Sequence, residues 1–210
     1  MSKSLLVHVL DDDAAVRDSL FTLLRSAGFF VRTHDCARSF FDGFRPEETG
    51  CVLIDMHMPD AKGSDVQDRI LRIGDKIPVI IITGLADIRT AVTAMKRGAI
   101  EFLEKPIDPD ILLDQVNKAV KQRDYELNER EKIEEAQARL GILTPREKDV
   151  LKHLLVGRPN KIIARELGLS PRTVEIHRAR VMEKTGAGSL PGLVRMALAA
   201  GIDPENQLSG

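Results

Sequence analysis

Short runs of consecutive apolar residues alternate, through the first half of the chain, with longer stretches whose apolar positions recur every three or four residues. The runs fall at residues 5–10, 29–33, 51–56, 78–83 and 100–103, and each is short enough to be a strand. Between them Val16, Leu20, Leu23 and Leu24 follow helical spacing and stop at Gly28, as do Ile88, Ala91, Val92 and Met95 before Gly98. The pattern is a repeated βα unit. Its strands lack the polar alternation of a half-exposed sheet, Val79-Ile80-Ile81-Ile82 being the clearest case. A parallel sheet covered by helices on both faces needs such strands. The expected class is α/β, a doubly wound five-stranded parallel sheet of flavodoxin-like order 2-1-3-4-5.

The pattern changes after Pro109. No glycine or proline interrupts residues 110–140, and apolar positions thin out beyond Val120 to Leu127, Ile133 and Leu140. This is a poor heptad, so a solvated helical linker over 123–141 is expected rather than a coiled coil. From Gly141 the spacing is purely helical, broken at Gly157-Arg158-Pro159, Gly168, Gly186-Ala187-Gly188 and Gly201. Three segments follow: an α/β domain over 1–122, the linker, and a small all-α domain over 142–210 with its helices between about 142 and 202.

Charge sharpens this division. The whole 210-residue chain is nearly neutral, but residues 1–122 carry a net charge of −3 and residues 142–210 carry +4. A basic, helical C-terminal part suggests a nucleic-acid surface. No apolar run approaches the roughly 20 residues that span a bilayer, which points to a cytoplasmic protein without a membrane partner. Cys36 and Cys51 lack metal or redox spacing and are expected to be packed thiols.

In a parallel sheet, ligands collect beyond the carboxyl ends of the strands. There the sequence puts Asp11 and Asp12 after strand one, Asp55 at strand three, Thr83 at strand four and Lys105-Pro106 after strand five. Neighbouring strands one and three would gather three carboxylates, which a hard cation such as Mg²⁺ can neutralise. Phosphate chemistry then follows, with Asp55 as nucleophile and the Lys105 ammonium and Thr83 hydroxyl contacting phosphoryl oxygens. Any one of these residues is equally at home as a cap or a turn; the set at successive strand ends argues for one site. Asp13 is as readily the N-cap of the helix that starts near Ala14.

In the basic part, residues 160–167 form one helix, Gly168-Leu169-Ser170 a turn, and Pro171 starts the next, with Ser170 as N-cap. Two short helices about a glycine turn make a helix-turn-helix. Val174, Val181 and Ile176 are expected inside. Ser170, Arg172, Thr173, His177 and Arg178 then lie toward base edges, while Lys161, Arg165, Arg180 and Lys184 meet phosphates. A helical hairpin with a merely solvated basic face is the bland alternative.

Residues 4 to about 122 resemble the receiver domain of two-component response regulators. The resemblance rests on Val9-Leu10-Asp11-Asp12-Asp13, Leu53-Ile54-Asp55-Met56-His57-Met58-Pro59 with Gly63, Ile82-Thr83-Gly84 and Glu104-Lys105-Pro106. Residues 143 to about 200, opening at Leu143-Thr144-Pro145-Arg146-Glu147, resemble the LuxR-type helix-turn-helix, and the combination resembles the FixJ/NarL family. The resemblance implies Asp55 as phosphoacceptor, Mg²⁺ held by Asp11, Asp12, Asp55 and the His57 backbone carbonyl, and a cis peptide before Pro106. It further implies a Thr83–Phe102 switch, and an influence of His57 and Leu85 on a slow autodephosphorylation. The expected partners are a sensor histidine kinase, double-stranded promoter DNA, RNA polymerase and a second copy of the phosphorylated chain. The function implied is a transcription factor, an activator, and not an enzyme. A Mg²⁺-dependent phosphoester hydrolase and a constitutive DNA-binding protein with a vestigial receiver are the competing readings.

Overall fold

The computed structural model describes residues 5–73, 76–84 and 88–203. The chain divides into two compact units, Met1–Leu127 and Asn128–Gly210.

The first unit is built on five parallel strands, β1 (Leu6–Leu10), β2 (Phe30–His34), β3 (Thr49–Asp55), β4 (Val79–Thr83) and β5 (Glu101–Glu104), in the order β2-β1-β3-β4-β5. The expected topology is the observed one. Helices α1 (Ala14–Ser26), α2 (Ala37–Asp42), α3 (Gly63–Ile73) and α4 (Ile88–Lys96) connect the strands, with a 3-10 turn at Pro46–Glu48, and α5 (Pro109–Gly141) follows β5.

Strand alternation assigns the two faces. Val52 and Ile54 of β3 with Val79 and Ile81 of β4 join Phe40 of α2 and Val66 and Ile70 of α3 in one core. Cys51 and Leu53 with Ile80 and Ile82 join Leu20 and Leu24 of α1 and Leu112 and Val116 of α5 in the other. Both faces are covered, so all seven residues of β3 and all five of β4 are buried. That is why these strands read as unbroken apolar runs. Cys51 is fully buried, and the loss of hydration pushes its thiol up to about 12. Cys36 is half-buried and free.

Helix α5 is the continuous 33-residue helix expected after Pro109. The reading of 123–141 as uniformly solvated needs correction at its ends. Arg123 is 3% exposed, its Nε donating to Thr49 O at 3.4 Å and its Nη2 to Pro46 O at 3.1 Å. Buried carbonyls need donors, and a long cationic side chain supplies them from a position whose helical spacing looks solvated. Ala136 and Leu140 are buried as well, Leu140 in the core of the second unit. The exposed middle carries intrahelical pairs such as Arg130–Glu134 and Lys132–Glu129.

In the second unit α6 (Pro145–Leu155), α7 (Asn160–Leu167), α8 (Pro171–Thr185) and α9 (Leu190–Ala199) share a core of Leu151, Leu154, Ile163, Val174, Val181 and Leu193. Capping residues set the starts: Thr144 and Glu147 form a complete capping box on α6. Ser170 Oγ accepts from Thr173 N at 3.1 Å to open α8. Gly168, which ends α7, and Gly186, which ends α8, sit at φ 65° and 69°, a left-handed conformation that costs glycine little. Among the described residues no helix is long and apolar enough to cross a membrane.

Candidate functional site

The carboxyl ends of β1, β3 and β5 bring an anion pair and a cation together. Lys105 Nζ donates to Asp11 Oδ2 at 2.6 Å and lies 2.9 Å from Asp55 Oδ1. Asp11 is 1% exposed and Asp55 4%. Parallel pairing of β1 with β3 sets the two acids side by side, and Lys105 arrives from β5, where its N–H donates to Thr83 O at 2.8 Å. The Lys105–Pro106 peptide is cis, as the receiver resemblance implied.

Each acid is further fixed by backbone donors. Asp55 Oδ2 accepts from His57 N at 2.7 Å, and Asp11 Oδ1 from Asp13 N at 3.0 Å. Burial, with the neighbouring Asp55 charge adding to it, leaves Asp11 above the usual carboxylate range despite the Lys105 contact. Burial pulls Lys105 down, but its hydrogen bonds to Asp11 and Asp55 carry it above its ordinary value. The ammonium therefore stays charged between the two acids.

Of the expected carboxylate trio, Asp12 stands apart on the exposed surface. Among the described residues no three His, Cys, Asp or Glu side chains are gathered as a metal-binding group. The Lys105 ammonium offsets only one of the two charges of the Asp11–Asp55 pair. Asp13 is the N-cap of α1, its Oδ1 accepting from Ala15 N at 2.8 Å. His57 is exposed and forms a bridge with Lys62. Thr83 is fully buried at the end of β4; Phe102, half-buried on β5, packs against the core beneath it and stands opposite Ile81. Leu85 lies outside the described residues.

Gly63 closes the loop after Asp55. Its N–H donates to Met56 O at 3.1 Å, and a Cβ there would meet Asp55 O at 2.6 Å. Only hydrogen fits. In the same loop Asp60 reaches across to α2, its two carboxylate oxygens each accepting at 3.0 Å from Ala37 N and Arg38 N. These two backbone bonds hold Asp60 below the usual carboxylate range. That cap spans 23 positions, and nothing in the local sequence announces it.

The second candidate surface lies on α7 and α8. Arg172, Arg180, Lys161 and Arg165 are exposed, with Arg172 Nη1 also 3.0 Å from Glu175 Oε2. Ser170 and Thr173 mark the start of α8, their hydroxyls 2.8 Å apart. His177 is half-buried and its Nδ1 has no hydrogen-bond partner among the described residues. Arg178 Nη1 lies 3.5 Å from Asn160 Oδ1 of α7.

One expectation on α8 is corrected. Ile176 is 43% exposed, because the inward seam of this helix is taken by Val174 and Val181. Lys184 is turned onto α6, its Nζ 2.7 Å from Oε2 of the buried Glu147. The neighbouring Glu166 of α7 faces Arg158 and, at 3.2 Å, His153 Nδ1.

Residues 7–117 match the response regulator receiver domain family, and residues 141–197 match the bacterial regulatory proteins of the luxR family. The chain is 44% identical to the transcriptional regulatory protein FixJ of Azorhizobium caulinodans, covering 97% of each chain. It is 43% identical to FixJ of Bradyrhizobium diazoefficiens over 93% of this chain and 96% of the relative. The response regulator protein TodT of Pseudomonas putida is 36% identical, covering 90% and 84%. Among solved structures, the response regulator StyR has a TM-score of 0.86 at 42% identity, covering 93% of this chain and 98% of its own.

Proposed function

Because this chain belongs to the response regulators that join a receiver domain to a LuxR-type DNA-binding domain, we propose that phosphorylation of Asp55 switches its binding to promoter DNA. The observation that carries the reading is the Lys105 ammonium, seated between Asp11 and Asp55 at 2.6 and 2.9 Å. A carboxylate beside a fixed cation is a nucleophile with its charge stabiliser in place. An Asp55 carboxylate oxygen attacks the phosphorus of a phosphohistidine, the P–N bond breaks, and an acyl phosphate forms. Lys105 and the Thr83 hydroxyl then hold the phosphoryl oxygens.

The donor set suits a hard divalent cation. Asp11 and Asp55 offer carboxylate oxygens and His57 its backbone carbonyl, with Asp12 at the rim. Mg²⁺ typically takes only one or two carboxylates and keeps several waters. When bound, it supplies charge neutralisation to the transferring phosphoryl group.

The receiver implies a histidine kinase as partner and the LuxR-type domain implies DNA. In this reading the protein works in the cytoplasm, the receiver functions within 1–122, and residues 123–141 pass its state to 142–210. Phe102 packs inward as Thr83 engages the phosphoryl group, and two phosphorylated chains pair. Pairing sets two α8 helices on a two-fold DNA site, from which the protein recruits RNA polymerase as an activator. Ser170, Arg172, Thr173, His177 and Arg178 face base edges; Lys161, Arg165 and Arg180 face phosphates.

Intact mass after incubation with acetyl phosphate and Mg²⁺ tests this directly. One added phosphoryl group in the wild type, absent from Asp55→Asn and from an EDTA control, is the expected result. A gain that survives in Asp55→Asn overturns the assignment of Asp55, and turnover of an exogenous phosphoester overturns the regulatory reading in favour of a hydrolase.

A further inference from the structure

Lys184 sits on the helix that presents the DNA-facing residues, yet its charge is committed elsewhere. Its ammonium is 2.7 Å from Glu147 Oε2, and Glu147 is 2% exposed. The same oxygen accepts from Thr144 N at 2.8 Å, while Glu147 N donates to Thr144 Oγ1 at 3.3 Å. Glu147 is thus locked to the first turn of α6 by its own capping box before it meets Lys184. Its carboxyl is held down to about 2, chiefly by the Lys184 hydrogen bond.

Helix α6 is a firm base, since Val150, Leu151 and Leu154 lie in the same core as Val174 and Val181 of α8. The inward side of α8 is mostly apolar, with Val174 and Val181 joined by the buried Thr185 and by Met182, and hydrophobic contact, being non-directional, resists small rolls of the helix only weakly. A charge-assisted hydrogen bond is short and directional. Lys184 lies twelve residues beyond Arg172, roughly 18 Å along the helix at 1.5 Å per residue. A peg there fixes the roll of the whole helix, and with it the aim of side chains at the other end.

We propose that Lys184 is a positioning residue, whose pairing with Glu147 sets the roll of α8 so that Arg172, Thr173, His177 and Arg178 meet base edges, and that Lys184 itself makes no phosphate contact. This rests on the DNA-binding reading of α8.

The two roles for Lys184 leave opposite traces. A residue that neutralises a phosphate contributes alike to specific and non-specific duplexes and adds about one to the slope of log K against log salt. A residue that aims base-reading side chains contributes to specific affinity alone. The probes are a duplex enriched from a random library by the full-length wild-type chain and a scrambled duplex of the same composition. Binding is titrated at several salt concentrations, with folding followed by circular dichroism.

For Lys184→Met the expected result is a loss of about tenfold for the enriched duplex, of the size one good base contact supplies. Affinity for the scrambled duplex and both salt slopes stay unchanged. Glu147→Gln keeps the capping interactions, since glutamine serves at that position of a capping box, but releases the ammonium. It should show the same selective loss, whereas Lys184→Arg should retain discrimination. Equal losses on both duplexes in Lys184→Met, with a shallower slope, overturn the proposal. So does tighter binding with a steeper slope in Glu147→Gln, and so does a lowered melting temperature with both affinities intact. If Lys184→Met does not fold, Glu147→Gln carries the same discrimination. A wild-type chain that enriches no duplex overturns the DNA-binding reading itself.

Discussion

His34 Nε2 lies 2.9 Å from His8 Nδ1 inside the receiver core, the two rings stacked with centroids 5.2 Å apart. Thr49 spends its hydroxyl proton on Arg45 O at 2.7 Å. Its oxygen also lies 3.4 Å from His8 Nε2. One of the two facing ring nitrogens donates to the other. This neutral pair is enclosed by Phe40 and Phe44.

Burial lowers His8 to about 3, helped by the neighbouring His34, and lowers His34 to about 4. Both folded values lie below the unfolded value of about 6.5, so the unfolded chain binds more protons between them. Stability is full above pH 6.5 and falls as pH drops toward 4, by up to about 1.4 kcal/mol per pH unit for each histidine. Urea unfolding of the first unit at pH 7 and pH 5 should show this loss, and His8→Leu should reduce it by about half. An unchanged pH dependence in His8→Leu would contradict the assignment.

Gly63→Ala places a methyl group 2.6 Å from Asp55 O and 3.0 Å from Met56 Cα. Backbone has to move, at a cost of about 1–3 kcal/mol for such overpacking, and the loop that moves carries the phosphoacceptor. Slower acetyl-phosphate labelling together with a lower unfolding midpoint is expected. Wild-type labelling kinetics would show that the loop absorbs the methyl without disturbing Asp55.

Ser170→Ala removes the side-chain acceptor for Thr173 N. Loss of an N-cap costs about 1 kcal/mol, which thermal denaturation should resolve as a lower midpoint for the second unit. Ser170→Asp keeps an acceptor at the helix start and should restore stability while weakening DNA binding through repulsion of phosphate. Recovery of both properties would remove Ser170 from the DNA-facing surface.

Arg180→Ala should weaken binding to enriched and scrambled duplexes alike and reduce the salt slope by about one. A loss confined to the enriched duplex would move Arg180 from the phosphate-facing set to the base-reading set.

The sheet was legible because strands covered on both faces must be continuously apolar, as Val79 to Ile82 and Cys51 to Ile54 are, and its order came with the flavodoxin-like class. The grouping of the candidate pocket was legible for a related reason: Asp11, Asp55, Thr83 and Lys105 fall at strand ends, and parallel strands deliver their carboxyl ends to one edge. The start of α8 was equally plain, since Ser170 and Pro171 act within one helical turn.

Long-range polar pairing was not legible. Periodicity put His8 in a strand but said nothing of His34, and it left Arg123 on a solvated linker, Ile176 inside and Lys184 without its Glu147 partner. Each of these outcomes depends on a partner far along the chain: His34 for His8, Thr49 and Pro46 for Arg123, the Val174 and Val181 seam for Ile176, Glu147 for Lys184. Local sequence determines which backbone conformation a segment prefers and which of its faces is apolar, because those preferences act between near neighbours. Which polar side chain ends beside which other is decided only when the cores close, because burial then makes an unpaired group costly and selects the partner within reach.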